Sequence, residues 1–200
     1  MAVFIDGALT YSAVIPIGAK NVTNDLAVGL RVSLETAEKI KLLISENNPK
    51  TKKEEGDEID LEELGIPEIK KVSKKTLAEG IIRPRLNEIF SMVKLELERE
   101  NLVNRTPSGV IITGGGAGTV GILEAAKRTL FLPARIGKPK GVSGLVDEIL
   151  EPAYATVVGL VLYGTHLPVE NSLTSISKRI KLPTKGLLGK LVSVVKDLLP

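Results

Sequence analysis

The sequence predicts an α/β body interrupted by a smaller inserted α+β lobe and followed by a C-terminal amphipathic helix. Three observations carry that reading. β-Branched runs beside glycine turns stand near both Ala2 and Val110, and each leads into helical apolar spacing, the alternation of an α/β layer. Between them lie a charged stretch of mixed sign and one long helical pattern. After Thr165 the chain turns polar and basic before a final apolar segment. The domains expected are 1–45 and 105–164 for the body, 46–104 for the lobe, 165–184 for a linker and 185–200 for the last helix.

Composition narrows the chemistry. The 200 residues are 43% apolar and 26% charged, as in an ordinary soluble globular protein. Aromatic residues make up only 3%, so Val, Ile, Leu and Ala must build the core. There is no cysteine and one histidine, His166, so no metal site of thiolates or clustered histidines is expected, and none is assigned. The net charge of +3, with no aromatic stacking platform, does not suggest nucleic acid as a partner. The charge is uneven. Past Gly164, Lys178, Arg179, Lys181, Lys185, Lys190 and Lys196 face only Glu170 and Asp197, so the tail is basic and the body nearly neutral. No signal peptide is expected, and no apolar run approaches the roughly 20 residues of a membrane span.

In chain order, "AVFIDGALTYSAVIPIG" reads as a β-hairpin turning at Asp6-Gly7, a pair that readily supplies positive φ angles. "TNDLAVGL" and "SLETAEKIKLLISE" read as two helices, the second N-capped by Ser33, with Leu34, Ala37, Ile40 and Lys41 on one face. Residues 47–75 read as a loop or weak strands. Ser73 opens a long helix that Pro84 should kink or restart, because proline removes a helix hydrogen bond. From Gly109 follow a strand, the "TGGGAG" turn, a helix, a strand around "PARIG" and the helix "PAYATVVGLVLYG".

Glycines after a strand let backbone approach a ligand closely, and equally let a tight turn pack closely. "TGGGAG" matches neither GxGxxG nor a Walker loop. By residues alone, Glu38 and Lys41 are an ordinary ion pair three apart on a helix.

The combination "IITGGGAGTVGILEAAKRTL", "GLVDEILEPAYATVVGLVLYG", "AVFIDGALTYSAVIPIGAKNVTNDLAVGLRVSLETAEKIK" and "LAEGIIRPRLNEIF" resembles the FtsA cell-division family of the actin-like ATPase superfamily. The likeness covers roughly residues 2–164, corresponding to the C-terminal half of such proteins. It implies an actin-like, ribonuclease H-like body. The stretch "AEGIIRPR" is one residue longer than the family's usual pattern.

Carried over by the resemblance, Gly114, Gly115 and Gly116 form an adenosine motif, faced by Glu38 for the ribose hydroxyls and Lys41 for the adenine. The implied cofactor is ATP or ADP, bound weakly or not at all by this chain. The superfamily's two phosphate loops, with their acidic residues for Mg, do not occur in these residues. Phosphoryl transfer depends on positioning and charge at the phosphates, so no catalytic residue is assigned and no ATP hydrolysis is expected of the chain as it stands. It reads as a piece of a longer protein or a truncated reading frame.

The family's "PRxxE" pattern is present as Pro84, Arg85, Leu86, Asn87, Glu88. The resemblance implies that this lobe binds the C-terminal tail of the division-ring protein FtsZ, through Arg85 and Glu88. Without it, the two make an exposed salt bridge worth about 0–1 kcal/mol.

The tail has a reading of its own. Leu187, Leu188, Leu191, Val194, Val195 and Leu198 fall on one broad apolar face, and Lys190 and Lys196 on the narrow polar one. Such a stretch lies in the interface of an anionic membrane, where each lysine adds about 1 kcal/mol. The competing reading is a terminal helix docked on its own domain. The resemblance also implies self-association into filaments in a full-length protein.

The expected function is an adaptor that tethers the FtsZ ring to the cytoplasmic face of the plasma membrane at the division site, as a peripheral membrane protein. The alternatives are a fragment of an active actin-like ATPase, or a pilus-assembly relative with the same fold.

Overall fold

The computed structural model describes residues 1–45, 57–60, 62, 71–142 and 147–167. The chain divides into two units, Met1–Leu162 and Tyr163–Pro200. Of the second unit only residues 163–167, the end of a helix, are described. The segment 185–200 and its Leu187, Leu188, Lys190, Leu191, Val194, Val195, Lys196 and Leu198 lie outside the described residues.

The chain opens with the expected hairpin, β1 (Ala2–Ile5) paired antiparallel with β2 (Ala8–Ser12). Asp6 and Gly7 both take positive φ, 51° and 81°, as a two-residue turn that follows the strands' twist requires. A bulge beside Val3 and Phe4 shifts the register. Val3 packs against Leu97 and Leu102, with Tyr11 beside it. The Tyr11 hydroxyl donates to Glu96, which pushes its pKa up from the ordinary tyrosine value.

Two helices follow. In α1 (Ala19–Leu30), the Asn21 side chain accepts the Gly18 N–H at 3.0 Å and ties down the entry. Arg31, in the left-handed region at φ 57°, ends the helix. In α2 (Leu34–Leu43), Ser33 caps as expected, its hydroxyl accepting the Thr36 N–H at 3.1 Å. Ala37, Ile40 and Lys41 are buried, but Leu34 is 56% exposed. The buried face starts one turn later than the sequence spacing implies.

Within 47–75 the described residues form a short antiparallel pair, β3 (Glu58–Asp60) with β4 (Lys71–Ser73). Fully buried Ile59 fastens it to the core. Asp57 accepts from the Ser73 hydroxyl and, at 2.9 Å, from the Lys75 N–H. These bonds at the start of the next helix hold its pKa below the ordinary aspartate value, against a smaller opposing effect of burial.

That helix is one rod with a flaw. α3 (Lys74–Leu77) passes through a π-turn at Ala78–Ile82 into α4 (Arg83–Arg99). The Arg83 N–H reaches back five residues to the Ala78 carbonyl. A π-turn holds one residue more than an α-turn, and it falls within the stretch "AEGIIRPR", which the family resemblance implies to be one residue longer than the usual pattern. Pro84 stands directly after this wide turn, and Gly80, four residues back, is exposed. The chain therefore stays helical from Lys74 to Arg99 and does not restart at Pro84.

The remaining elements are β5 (Val110–Ile112), α5 (Ile122–Leu130) and β6 (Ala134–Ile136), the two strands parallel with Ile111 opposite Arg135. Gly109 is required: its φ is 92°, and an added Cβ would stand 2.2 Å from the Pro133 carbonyl oxygen. A 3-10 turn (Pro152–Tyr154) leads into α6 (Ala155–His166), in which only Val158 is buried.

The principal core joins Leu26 of α1, Ile40 of α2, Ile59 of β3, Leu77, Ile82, Leu86 and Phe90 of the long rod, and Ala125, Ala126 and Leu130 of α5. Residues from both sides of positions 46 and 104 thus share one packed interior. Among the described residues no helix is long and apolar enough to cross a membrane.

Candidate functional site

The three consecutive glycines of the "TGGGAG" turn differ in what they do. Gly114 follows β5 with φ 95°, a conformation that side chains resist. Its N–H donates to the Pro152 carbonyl at 2.9 Å, tying the turn to the entry of α6. Gly115 opens a 3-10 turn (Gly115–Gly118), is exposed, and has open space where a Cβ would go. Gly116 is a packing glycine, since its Cβ would lie 2.7 Å from that of Ala19, the first residue of α1. Close packing therefore explains Gly116 and backbone conformation Gly114. Gly115, and Gly118 at the end of the turn, have neither a positive φ nor a close neighbour to account for them.

One helical turn beyond Ala19 stands Thr23, 5% exposed. Its hydroxyl accepts from the Lys41 ammonium at 2.9 Å and donates to Glu38 Oε2 at 2.5 Å. Lys41 also donates to Glu38 Oε2, at 2.7 Å. The structure therefore brings Glu38 and Lys41 together and connects them, through α1, to the glycine turn. Lys41 is 7% exposed, whereas the Glu38 side chain is 44% exposed. Partial burial raises the Glu38 pKa, but its bonds from Lys41 and Thr23 outweigh this and hold it below the ordinary glutamate value. Glu38 is ionised at neutral pH and faces outward as an acceptor. One carboxylate oxygen is thus fixed by both Lys41 and Thr23.

Thr23 is not singled out by the sequence. Its one signal is a hydroxyl on the buried stripe formed by Val22, Leu26 and Ala27.

Arg85 and Glu88 are also together, Arg85 Nη1 donating to Glu88 Oε2 at 2.5 Å. Arg85 nevertheless spends its other face within the molecule, donating from Nε and Nη2 to the two oxygens of Asp25 on α1 at 2.5 and 2.8 Å. Asp25 went unnoticed in the sequence because nothing local marks it. Among the described residues no cluster of three or more His, Cys, Asp or Glu could hold a metal.

These elements define a mixed α/β protein whose glycine turn is seated on the first turn of a helix, and the next turn of that helix bonds a carboxylate–ammonium pair. Comparison with known proteins gives the family. A family model described as "Cell division protein FtsA" matches residues 1–159, and the chain belongs to that family, which implies an actin-like fold. Three curated relatives carry the same description. The one from Pseudomonas aeruginosa is 35% identical over 177 residues, 88% of this chain and 42% of the relative. The one from Borreliella burgdorferi is 35% identical over 182 residues, 91% of this chain and 44% of the relative. The one from Escherichia coli K12 is 31% identical over 197 residues, 90% of this chain and 44% of the relative. The chain thus spans less than half the length of each.

Proposed function

We propose that the chain is a division-ring adaptor corresponding to the C-terminal half of an FtsA-type protein. It tethers the FtsZ ring to the cytoplasmic face of the plasma membrane and retains the adenosine side of an ATP site. In this reading 1–45 and 105–164 form the cleft-bearing subdomain, 46–104 the partner lobe, 165–184 a linker and 185–200 the membrane helix. The single observation that carries the nucleotide part is that Gly116 packs on Ala19 of α1, and Thr23, one turn along the same helix, bonds both Glu38 and Lys41. It supports an open backbone and an ionised carboxylate attached to the same helix, two features that an adenosine uses. The adaptor part is supported by family membership, by the PRxxE segment at 84–88 and by the amphipathic pattern of 185–200.

The experiment is a reconstitution with anionic vesicles and FtsZ polymers. FtsZ should sediment with the vesicles only when the chain is present. Leu188→Glu combined with Leu191→Glu should abolish that recovery by removing the apolar face. Equal recovery of FtsZ with and without the chain refutes the adaptor reading.

A second reading, part of a working ATPase, is favoured by the relatives' greater length. ATP turnover by the chain only when the rest of an FtsA-type protein is supplied would favour it.

A further inference from the structure

We propose that Thr23 is the positioning residue of the candidate site, holding Glu38 and Lys41 as a preformed pair whose free carboxylate oxygen, Glu38 Oε1, receives the vicinal hydroxyls of a ribose. This rests on the adenosine-side reading above and adds to it the residue on which ribose selectivity depends.

Glu38 and Lys41 both belong to α2, three residues apart. A pair at that spacing on an open helix surface is weak and exchanges rotamers freely. Here a side chain from the other helix intervenes. The Thr23 hydroxyl uses its lone pair on the ammonium and its proton on the carboxylate, so one oxygen fixes both partners. Both bonds to Glu38 end on Oε2. Oε1 carries no bond among the described residues, on a side chain 44% exposed.

The arrangement is asymmetric in a useful way. Oε2 is held by the protein, and Oε1 keeps its two lone pairs for incoming donors. Two adjacent hydroxyls suit a single carboxylate, whereas a phosphate would be repelled by it. Fixing the carboxylate beforehand removes the ordering cost that binding would otherwise carry. Thr23 touches no ligand in this scheme. It acts through Glu38 and Lys41, and the Gly116 contact on Ala19 sets how near the glycine backbone stands to them.

The test uses the whole chain, with adenosine and 2′,3′-dideoxyadenosine as probes, and follows the Glu38 carboxyl by carbon-13 titration. Thr23→Val, nearly isosteric but without the hydroxyl, should weaken adenosine about tenfold and leave dideoxyadenosine unchanged. It should also move the Glu38 pKa up toward the ordinary glutamate value. Thr23→Ser, which keeps the hydroxyl, should retain both the selectivity and the titration. A Thr23→Val protein with wild-type selectivity, or with an unmoved Glu38 titration, overturns the proposal. If Thr23→Val does not fold, loss of selectivity in folded Thr23→Ser overturns it, because the hydroxyl is then not what matters. Wild-type protein that binds no adenosine overturns the ribose part together with the adenosine reading; a Glu38 titration that still responds to Thr23→Val then upholds only the positioning of the pair.

Discussion

Arg85 of α4 grips Asp25 of α1 with two guanidinium nitrogens, across sixty residues of sequence. The same guanidinium holds Glu88, and these acidic contacts, Asp25 foremost, raise its pKa against the opposing effect of burial. A peptide carboxylate that docks on Arg85 must therefore compete with Asp25.

Asp25→Asn should increase the affinity for an FtsZ tail peptide several-fold, and Arg85→Glu should abolish binding. In the free protein, a double-mutant cycle on Arg85 and Asp25 followed by urea unfolding should return a coupling of about 1 kcal/mol, the upper end for a partly exposed pair with good geometry. Peptide affinity that is indifferent to both substitutions assigns Arg85 a purely structural role.

The glycines of the turn should separate by mutation. Gly116→Ala should cost about 1–3 kcal/mol, as an overpacked contact does, because its Cβ meets Ala19 at 2.7 Å. Ala19→Gly should restore most of that loss. Gly115→Ala has open space and should leave the melting temperature unchanged, so any fall in adenosine affinity in that variant reports ligand contact. Equal destabilisation by Gly115→Ala and Gly116→Ala would contradict this placement of the turn.

Glu38 gives an acid dependence of known sign. Its native pKa lies below the ordinary value, because hydrogen bonds from Lys41 and Thr23 outweigh partial burial. Between the two values the unfolded chain binds the proton and the native chain does not. The contribution is therefore complete above the ordinary glutamate range, and is lost as the pH falls through the depressed native value. Glu38→Gln should flatten this part of a stability-against-pH curve measured by urea unfolding. The effect should be about 0–1 kcal/mol, given the exposure of the side chain.

The π-turn offers a stability gain. Gly80 is exposed, has ordinary backbone angles and has room for a Cβ. Gly80→Ala should add about 0.5–1 kcal/mol by lowering the freedom of the unfolded chain. Thermal melting checks it, and an unchanged or lower melting temperature would mean that the wide turn needs glycine.

Features that are local in sequence were legible there. Asp6-Gly7 specifies its hairpin, Ser33 and Ser73 cap the helices they precede, and the glycine run ends a strand before a helix. In each case the residues that decide the conformation are neighbours, so short-range stereochemistry is enough. Glu38 and Lys41 could be named as a pair for the same reason, since helical spacing alone brings them together.

Tertiary structure decided the rest. Leu34 obeys the helical period, but the packed face begins at Ala37. Pro84 reads as a kink or a restart, yet the π-turn before it leaves the chain helical on both sides. Thr23 and Asp25 lie two residues apart on α1, yet one bonds to α2 and the other to α4. Successive helical residues point about 100° apart, so even near neighbours meet different surroundings. Sequence places a hydroxyl and a carboxylate on that helix; only the packing of α1 between α2 and α4 selects their partners.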